Sequence, residues 1–137
     1  QAVERSLAAG LSFSVATAAN GTDACYFSPG RVPGAITVAP TDVNDHRASF
    51  SDYGTCLDLF APGVNITTID YTGGTRIFTG TTMSVSHVAG VVALYLQTYP
   101  AATPQQVHDA INRDATSGVV VNPGPGSPNR LVHSLLT

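Results

Sequence analysis

The sequence predicts an α/β fold, because its 137 residues contain both strand-like and helical patterns. An apolar run at residues 11–19 ends at an Asn-Gly turn and is typical of a buried strand. Further along the chain, residues 82–96 carry apolar side chains at a helical period. A third segment, from residue 103, opens with a helix-capping pattern. We therefore expect a sheet with helices packed against it.

The segments on either side of the central helix are shorter and give weaker signals. Residues 1–10 are expected to form the end of a helix, with Gly10 as its C-terminal stop. Residues 65–70 and 75–80 alternate in polarity, which predicts a hairpin around Gly73-Gly74. Near the C-terminus, residues 118–121 are a candidate for one more short strand.

The central helix has an apolar face and a polar start. Its face is formed by positions i, i+3, i+7 and i+11, which are Val85, Val88, Val92 and Leu96. Thr81 or Thr82 is expected to cap the N-terminus, and Pro100 prevents continuation beyond the C-terminus. A hydroxyl at this start lies where backbone N–H groups converge and favour negative charge. It has two interpretations: a cap on a buried helix, or a nucleophile whose attack creates an oxyanion.

The next helix has a clear start. Thr103 is its expected cap, Pro104 takes the first helical position and Gln106 the third. We expect this helix to continue to about residue 115 and to bury three apolar side chains, Val107, Ala110 and Ile111.

Composition excludes some classes of function. With six basic and nine acidic residues the net charge is −3, and no cluster of Lys or Arg occurs, so we expect no nucleic-acid partner. No apolar stretch approaches the length of a membrane span, and the first residues do not resemble a signal peptide. Low charge together with many Gly and Pro residues favours a compact secreted enzyme.

The start of the central helix resembles a known family. The stretch Gly80-Thr81-Thr82-Met83-Ser84-Val85-Ser86-His87-Val88-Ala89-Gly90 is similar to the nucleophile segment of the subtilisin-like serine proteases, Gly-Thr-Ser-Met-Ala-Ser/Thr-Pro-His-Val-Ala-Gly. Thr82 stands where this family has its catalytic serine. Ser84, Val85 and Ser86 also depart from the family pattern, which suits a sequence released from catalytic constraint.

The resemblance continues along nearly the whole chain, but only to the second half of the family's catalytic domain. Residues 47–54 resemble its Ser-Phe-Ser-Asn-Tyr-Gly stretch, with Asp52 in place of the Asn. The resemblance implies a partial subtilisin-like fold in the proteinase K-like branch, with residues 1–137 as the C-terminal half of the domain. It also implies a mostly parallel sheet in which residues 11–19, 35–40 and 58–60 are neighbouring strands.

The same resemblance implies roles for residues near the predicted site. Asn20 matches the family's asparagine that donates to the oxyanion, although the Asn-Gly pair taken by itself indicates only a turn. Ala18, Ala19 and Phe27 match positions that contact the peptide or protein substrate.

The two cysteines, Cys25 and Cys56, form an even count in a chain of secreted character, which suggests one disulfide, with two buried free thiols as the alternative. Their spacing matches a bridge of the proteinase K-like branch. The resemblance further implies a structural calcium site formed by the Pro33 and Ala35 carbonyl groups and the Asp58 carboxylate. Oxygen ligands of this kind suit calcium. The alternative for Asp58 is that it only ends a strand.

The chain does not contain the family's Asp-Thr/Ser-Gly and His-Gly-Thr segments, which carry the triad Asp and His. Its four histidines, His46, His87, His108 and His133, show no recognisable triad pattern. A hydroxyl without an adjacent base is a weak nucleophile. We therefore predict a subtilisin-like serine endopeptidase by family, secreted, whose isolated chain is inactive and whose partner is the missing N-terminal half. The alternative is a non-catalytic module that binds peptides or proteins.

Overall fold

The computed structural model describes residues 2–134, and its centre is a five-stranded sheet with the order β1-β2-β3-β7-β6. Strands β1, β2, β3 and β7 run parallel, and β6 pairs antiparallel with β7. The central sheet consists of β1 (Ser14–Ala16), β2 (Ile36–Thr41), β3 (Leu59–Pro62), β6 (Thr116–Ser117) and β7 (Arg130–Leu131). The hairpin is β4 (Ile66–Asp70) with β5 (Gly74–Phe78), and the helices are α1 (Ala2–Ala8), α2 (Thr81–Thr98) and α3 (Pro104–Asp114). The predicted α/β class with a mostly parallel sheet is confirmed.

The core lies on both faces of the sheet. Alternate residues of β2 and β3 face α2 and α3, and this cluster contains Ile36, Val38, Leu59, Ala61, Val88, Val92, Val107 and Ile111. The intervening residues face the other way, so that Ala39 and Phe60 pack with Leu57 and Val120. All six residues of β2 are buried, as expected for a parallel strand that is covered on both sides.

The two long helices agree with their sequence signals. Thr103 accepts the Gln106 N–H and the Gln106 side chain accepts the Thr103 N–H, so α3 begins with the predicted capping box. Its three predicted inward residues are all buried. In α2, Val88 and Val92 are buried, while Val85 and Leu96 are half-buried against the same cluster.

Three local predictions were wrong. The first strand covers only Ser14–Ala16, because its ladder with β2 is the only strand pairing it makes among the described residues. Gly80 occupies the N-cap of α2 without a side-chain hydrogen bond, so neither threonine caps this helix. Residues 118–121 do not form a strand, since the Val120 N–H and C=O bind the Asn129 side chain at 2.8 Å each.

Two surfaces have no neighbouring element within residues 2–134: the outer edge of the sheet at β1 and the outer side of α2. Strand β1 lies at the edge of the sheet, so its second row of backbone groups is unpaired in this part of the chain. Helix α2 also presents apolar and small side chains on its outer side, where Ala89, Gly90, Ala93 and Leu94 are exposed. A helix that is apolar all round is normally buried in a larger core. None of the described helices combines the length and apolar character needed to cross a bilayer.

Candidate active site

The N-terminus of α2 is held beside the end of β3. Gly80 donates its N–H to the Gly63 carbonyl at 2.9 Å, which joins the turn after β5 to the residue after β3. A Cβ atom at Gly63 would collide with the Ser84 Oγ and the Pro40 Cβ, so only glycine fits between helix and sheet. Thr82 follows in the first turn of α2, and its side chain is exposed. The helix start therefore presents this hydroxyl-bearing residue to solvent.

Thr82 borders a shallow cavity of about 360 Å³ between α2 and the edge strand. The other lining residues are Ser14, Val15, Ala16, Pro29 and Val85. The Ser14 hydroxyl donates to the Val85 carbonyl at 3.3 Å and ties β1 to α2. The cavity opens at the sheet edge that has no partner strand among the described residues. A residue in this position can meet a ligand that enters along the edge of β1.

The residues with implied oxyanion and substrate roles lie just beyond this cavity. Ala18, Ala19 and Asn20 lie two to four residues after the end of β1, and the last two are exposed. Phe27 follows the 3₁₀ turn Ala24–Tyr26 and is half-exposed. None of these four residues lines the cavity beside Thr82. Sequence reasoning missed Ser14 and Pro29, which do line it.

No histidine in the described part of the chain has the environment of a triad base. His46 lies 3.7 Å from Asp42, and the His87 Nδ1 lies 2.9 Å from the Met83 carbonyl oxygen in its own helix. His108 has two carboxylates nearby, Asp58 at 3.1 Å and Asp109 at 3.3 Å, but none of the described residues places a nucleophile hydroxyl beside them. Within residues 2–134 no serine or threonine hydroxyl is hydrogen-bonded to any of these rings, so a nucleophile–base pair is not formed.

Ser84 lies one turn into α2 and is completely buried. Its Oγ has no hydrogen-bond partner among the described residues, and a buried hydroxyl without a partner is destabilising. The subtilisin-like pattern has alanine at this position. The serine therefore adds a polar atom to the closely packed contact between α2 and Gly63.

We expect Ser84→Ala to raise the free energy of unfolding by about 1 kcal/mol, because it removes the unsatisfied hydroxyl. Urea denaturation should show a higher midpoint with an unchanged slope. Ser86→Ala is the matched control: its exposed hydroxyl donates to the Thr82 carbonyl at 3.2 Å, and its removal should change stability by less than about 0.5 kcal/mol. A lower midpoint for Ser84→Ala would show that its hydroxyl has a partner.

The structure contains a disulfide between Cys25 and Cys56. Cys25 lies in the 3₁₀ turn Ala24–Tyr26, which begins where the Asp23 carboxylate accepts the Cys25 N–H at 2.9 Å. Cys56 lies three residues before β3. The bond therefore joins the segment after β1 to the segment that leads into Asp58.

The three residues with an implied calcium role line one cavity of about 320 Å³, together with His108 and the intervening loop. The Asp58 Oδ2 accepts the Thr37 N–H at 2.7 Å, and its Oδ1 lies 3.1 Å from the His108 Nε2. The lining of this cavity thus includes one carboxylate, that of Asp58, together with Pro33 and Ala35. Each carboxylate oxygen keeps one lone pair, so these residues fit a cation as long as His108 is neutral or moves away.

Helix α3 is joined to β3 by the pair of His108 and Asp58. The hydrogen bond that His108 donates to the Asp58 carboxylate raises the pKa of His108 above its ordinary value, and burial opposes this effect. The folded protein therefore holds this proton more tightly than the unfolded chain does. The resulting stability is fully present below the unfolded pKa of about 6.5 and is lost as pH rises through the higher folded pKa.

We expect the free energy of unfolding to fall as pH rises above the unfolded pKa of about 6.5 in chelator-containing buffer, and His108→Gln to weaken that fall. Urea titrations at a series of pH values measure both slopes. His46→Gln is the matched control. His46 faces Asp42 in an exposed loop, so this substitution should leave the pH slope of the free energy of unfolding as it is in the parent. Equal pH slopes for the parent and His108→Gln would contradict the conclusion that the pair of His108 and Asp58 causes this pH dependence.

The chain was compared with protein-family models, curated proteins and solved structures. The model described as the subtilase family matches residues 1–132. The chain is 51% identical over 135 residues to the extracellular serine proteinase of Thermus sp. (strain Rt41A), covering 97% of this chain and 33% of that protein. It is 43% identical over 134 residues to alkaline serine exoprotease A of Vibrio alginolyticus, covering 98% of this chain and 25% of that protein.

Among solved structures, the crystal structure of a cold adapted subtilisin-like serine proteinase superposes with a TM-score of 0.96 and 43% sequence identity. The match covers 99% of this chain and 50% of the solved one. This chain therefore spans a quarter to a third of the length of the two curated relatives and half of the solved chain. The resemblance read from the motif around Thr82 is confirmed.

Proposed function

Because the chain belongs to the subtilase family, we propose that it is the C-terminal half of a subtilisin-like serine endopeptidase domain and is inactive on its own. The observation that carries this proposal is the position of Thr82: it is exposed in the first turn of α2, beside a cavity at the edge of β1. Peptide or protein is the proposed substrate, as expected for a proteinase.

The proposed partner is an N-terminal half that supplies the triad Asp and His. The unpaired edge of β1 and the exposed apolar side of α2 support this, since both are surfaces that a further strand and a further layer would bury. We call this assembly the complemented domain: the chain bound to a subtilase N-terminal half that carries the Asp-Ser/Thr-Gly and His-Gly-Thr segments. Secretion is also proposed, because the Thermus relative is named extracellular and the chain contains a disulfide.

One test is incubation of the isolated chain with an active-site phosphonylating reagent, followed by intact mass. No label is expected, since no histidine in residues 2–134 is hydrogen-bonded to a serine or threonine hydroxyl. Labelling at Thr82 would contradict the proposed inactivity. The alternative function is peptide binding without cleavage, and threonine at the nucleophile position favours it. Binding of a peptide by the complemented domain with no turnover, even after Thr82→Ser, would select this alternative.

Calcium is proposed as a structural ligand of the cavity that contains Asp58. When bound there, the cation would link the loop before β2 to the start of β3, with the Pro33 and Ala35 carbonyl groups and the Asp58 carboxylate as ligands. A neutral carbonyl set with one carboxylate is within calcium's preferences.

We expect calcium to raise the Tm of the parent relative to chelator, because a ligand that binds only the folded state stabilises it. Asp58→Asn should lose this gain. Asp109→Asn is the matched control, since Asp109 also contacts His108 but does not line the cavity. An equal calcium-dependent gain in the parent and Asp58→Asn would place the cation elsewhere, and no gain in the parent would remove the site.

A further inference from the structure

The loop after β1 is attached to a second segment of the chain, residues 50–54. Gly21 donates its N–H to the Phe50 carbonyl at 3.1 Å, and Tyr53 donates to the Thr22 carbonyl at 3.0 Å. The Asp52 N–H is 3.4 Å from the Ala18 carbonyl oxygen. These backbone contacts run along both sides of the loop that carries Asn20. The conformation of this loop therefore depends on residues 50–54.

Asp52 makes the closest side-chain contacts with this loop. It is completely buried, and its Oδ1 accepts the N–H groups of Asn20 at 2.9 Å and of Thr22 at 3.1 Å. One oxygen atom therefore holds the N–H groups of the two residues that flank Gly21, which adopts a φ of 65° that favours glycine.

The other oxygen of Asp52 is in a different situation. Oδ2 is buried and has no hydrogen-bond partner among the described residues. An asparagine could present its Oδ1 to the same two N–H groups without burying a charge. The contacts to the loop thus require only a hydrogen-bond acceptor at the position of Oδ1. A substitution that keeps this acceptor can be compared with one that removes it.

We propose that Asp52 is the positioning residue of the oxyanion loop: by accepting the N–H groups of Asn20 and Thr22, it fixes the backbone from which the Asn20 side chain is presented. This inference rests on the proposed function and on the oxyanion role that the family resemblance implies for Asn20. Oxyanion donors accelerate a reaction because they are held in place before charge develops. A displacement of about 1 Å can cost about a hundredfold in rate, so loss of Asp52 acts on kcat more than on KM.

The first test uses the chain itself and needs no variant. A through-hydrogen-bond NMR coupling is expected between the Asn20 amide nitrogen and the Asp52 carboxyl carbon, and its absence would overturn the proposal. In Asp52→Ala, hydrogen exchange at the Asn20 and Thr22 amides should become at least about tenfold faster. Asp52→Asn should retain parent-like exchange and a Tm equal to or above that of the parent. Fast exchange in Asp52→Asn would overturn the role of the Oδ1 acceptor.

Asp42 provides a matched control for this test. Its Oδ1 also accepts two backbone N–H groups, those of Asn44 at 2.8 Å and His46 at 3.0 Å, in an exposed loop. Asp42→Ala should accelerate exchange at Asn44 and His46 only. Acceleration at Asn20 in Asp42→Ala would show that the effect is general loosening, which would overturn a specific role of Asp52.

The second test uses the complemented domain with Thr82→Ser. Adding Asp52→Ala should lower kcat by about tenfold to a hundredfold with KM nearly unchanged, and Asp52→Asn should rescue kcat. An unchanged kcat in Asp52→Ala would overturn the positioning role. If the loop loosens as expected but no variant of the complemented domain turns over substrate, the proposed function fails while the attachment of the loop by Asp52 is upheld.

Discussion

Thr82→Ser in the complemented domain is expected to raise kcat by about a hundredfold over the parent chain in the same assembly. The γ-methyl group of threonine restricts χ1 and occupies space beside the hydroxyl. Thr82 borders the cavity that also contains Val85 and the residues of β1, so the methyl competes for the volume through which a carbonyl carbon would approach. Serine removes the methyl and keeps the hydroxyl at the same point of the helix.

The measurement is turnover of a peptide substrate together with phosphonyl labelling of residue 82. Thr98→Ser, an equivalent change at the exposed C-terminal end of α2, should leave the rate at the parent value. Equal rates for the parent and Thr82→Ser would mean that the methyl is not the obstacle. Absence of labelling in Thr82→Ser, with assembly demonstrated by sedimentation, would mean that the site lacks a base even with the second half bound.

The sequence predicts well those elements whose stabilising contacts join residues close together in the chain. The capping box from Thr103 to Gln106 and the buried positions of α3 involve contacts within one or two helical turns, so they are visible in the order of residues. Strand β1 was predicted too long because an apolar run shows burial but not which residues find a partner strand. The Val120 region shows the same limit, since the side chain of Asn129, nine residues further along, takes the place of a partner strand.

The site was predictable only where a motif marks it. Thr82 was found because its neighbours in the chain match a family pattern, and its place at the start of α2 follows from the helical period. The contacts of Asp52 with the Asn20 loop and of His108 with Asp58 join residues 30 to 50 positions apart. Neither pair has a spacing rule, because loop closure and sheet order bring them together. The unsatisfied Ser84 hydroxyl could not be predicted either, since it depends on the close approach of Gly63.

Loss of the disulfide is expected to have the largest effect on stability. The double variant Cys25→Ser/Cys56→Ser should lower the free energy of unfolding by roughly 3.5 to 4 kcal/mol, because the unfolded chain regains the freedom of a long closed loop. That is a large part of the 5–15 kcal/mol typical of a folded domain. Within the folded state, hydrogen bonds such as Ala24 N–H to the Tyr53 carbonyl at 2.7 Å hold the same two segments, so the fold should survive the loss.

Urea denaturation of the parent and the double variant, with and without reductant, measures this effect. Reductant should bring the parent down to the level of the double variant and should leave the double variant unchanged, which separates the bond from any effect of the serines. The Tm gain from calcium should also shrink in the double variant, because Cys56 lies two residues before Asp58. A free energy within about 1 kcal/mol of the parent would mean that the denatured chain keeps the two segments together without the bond.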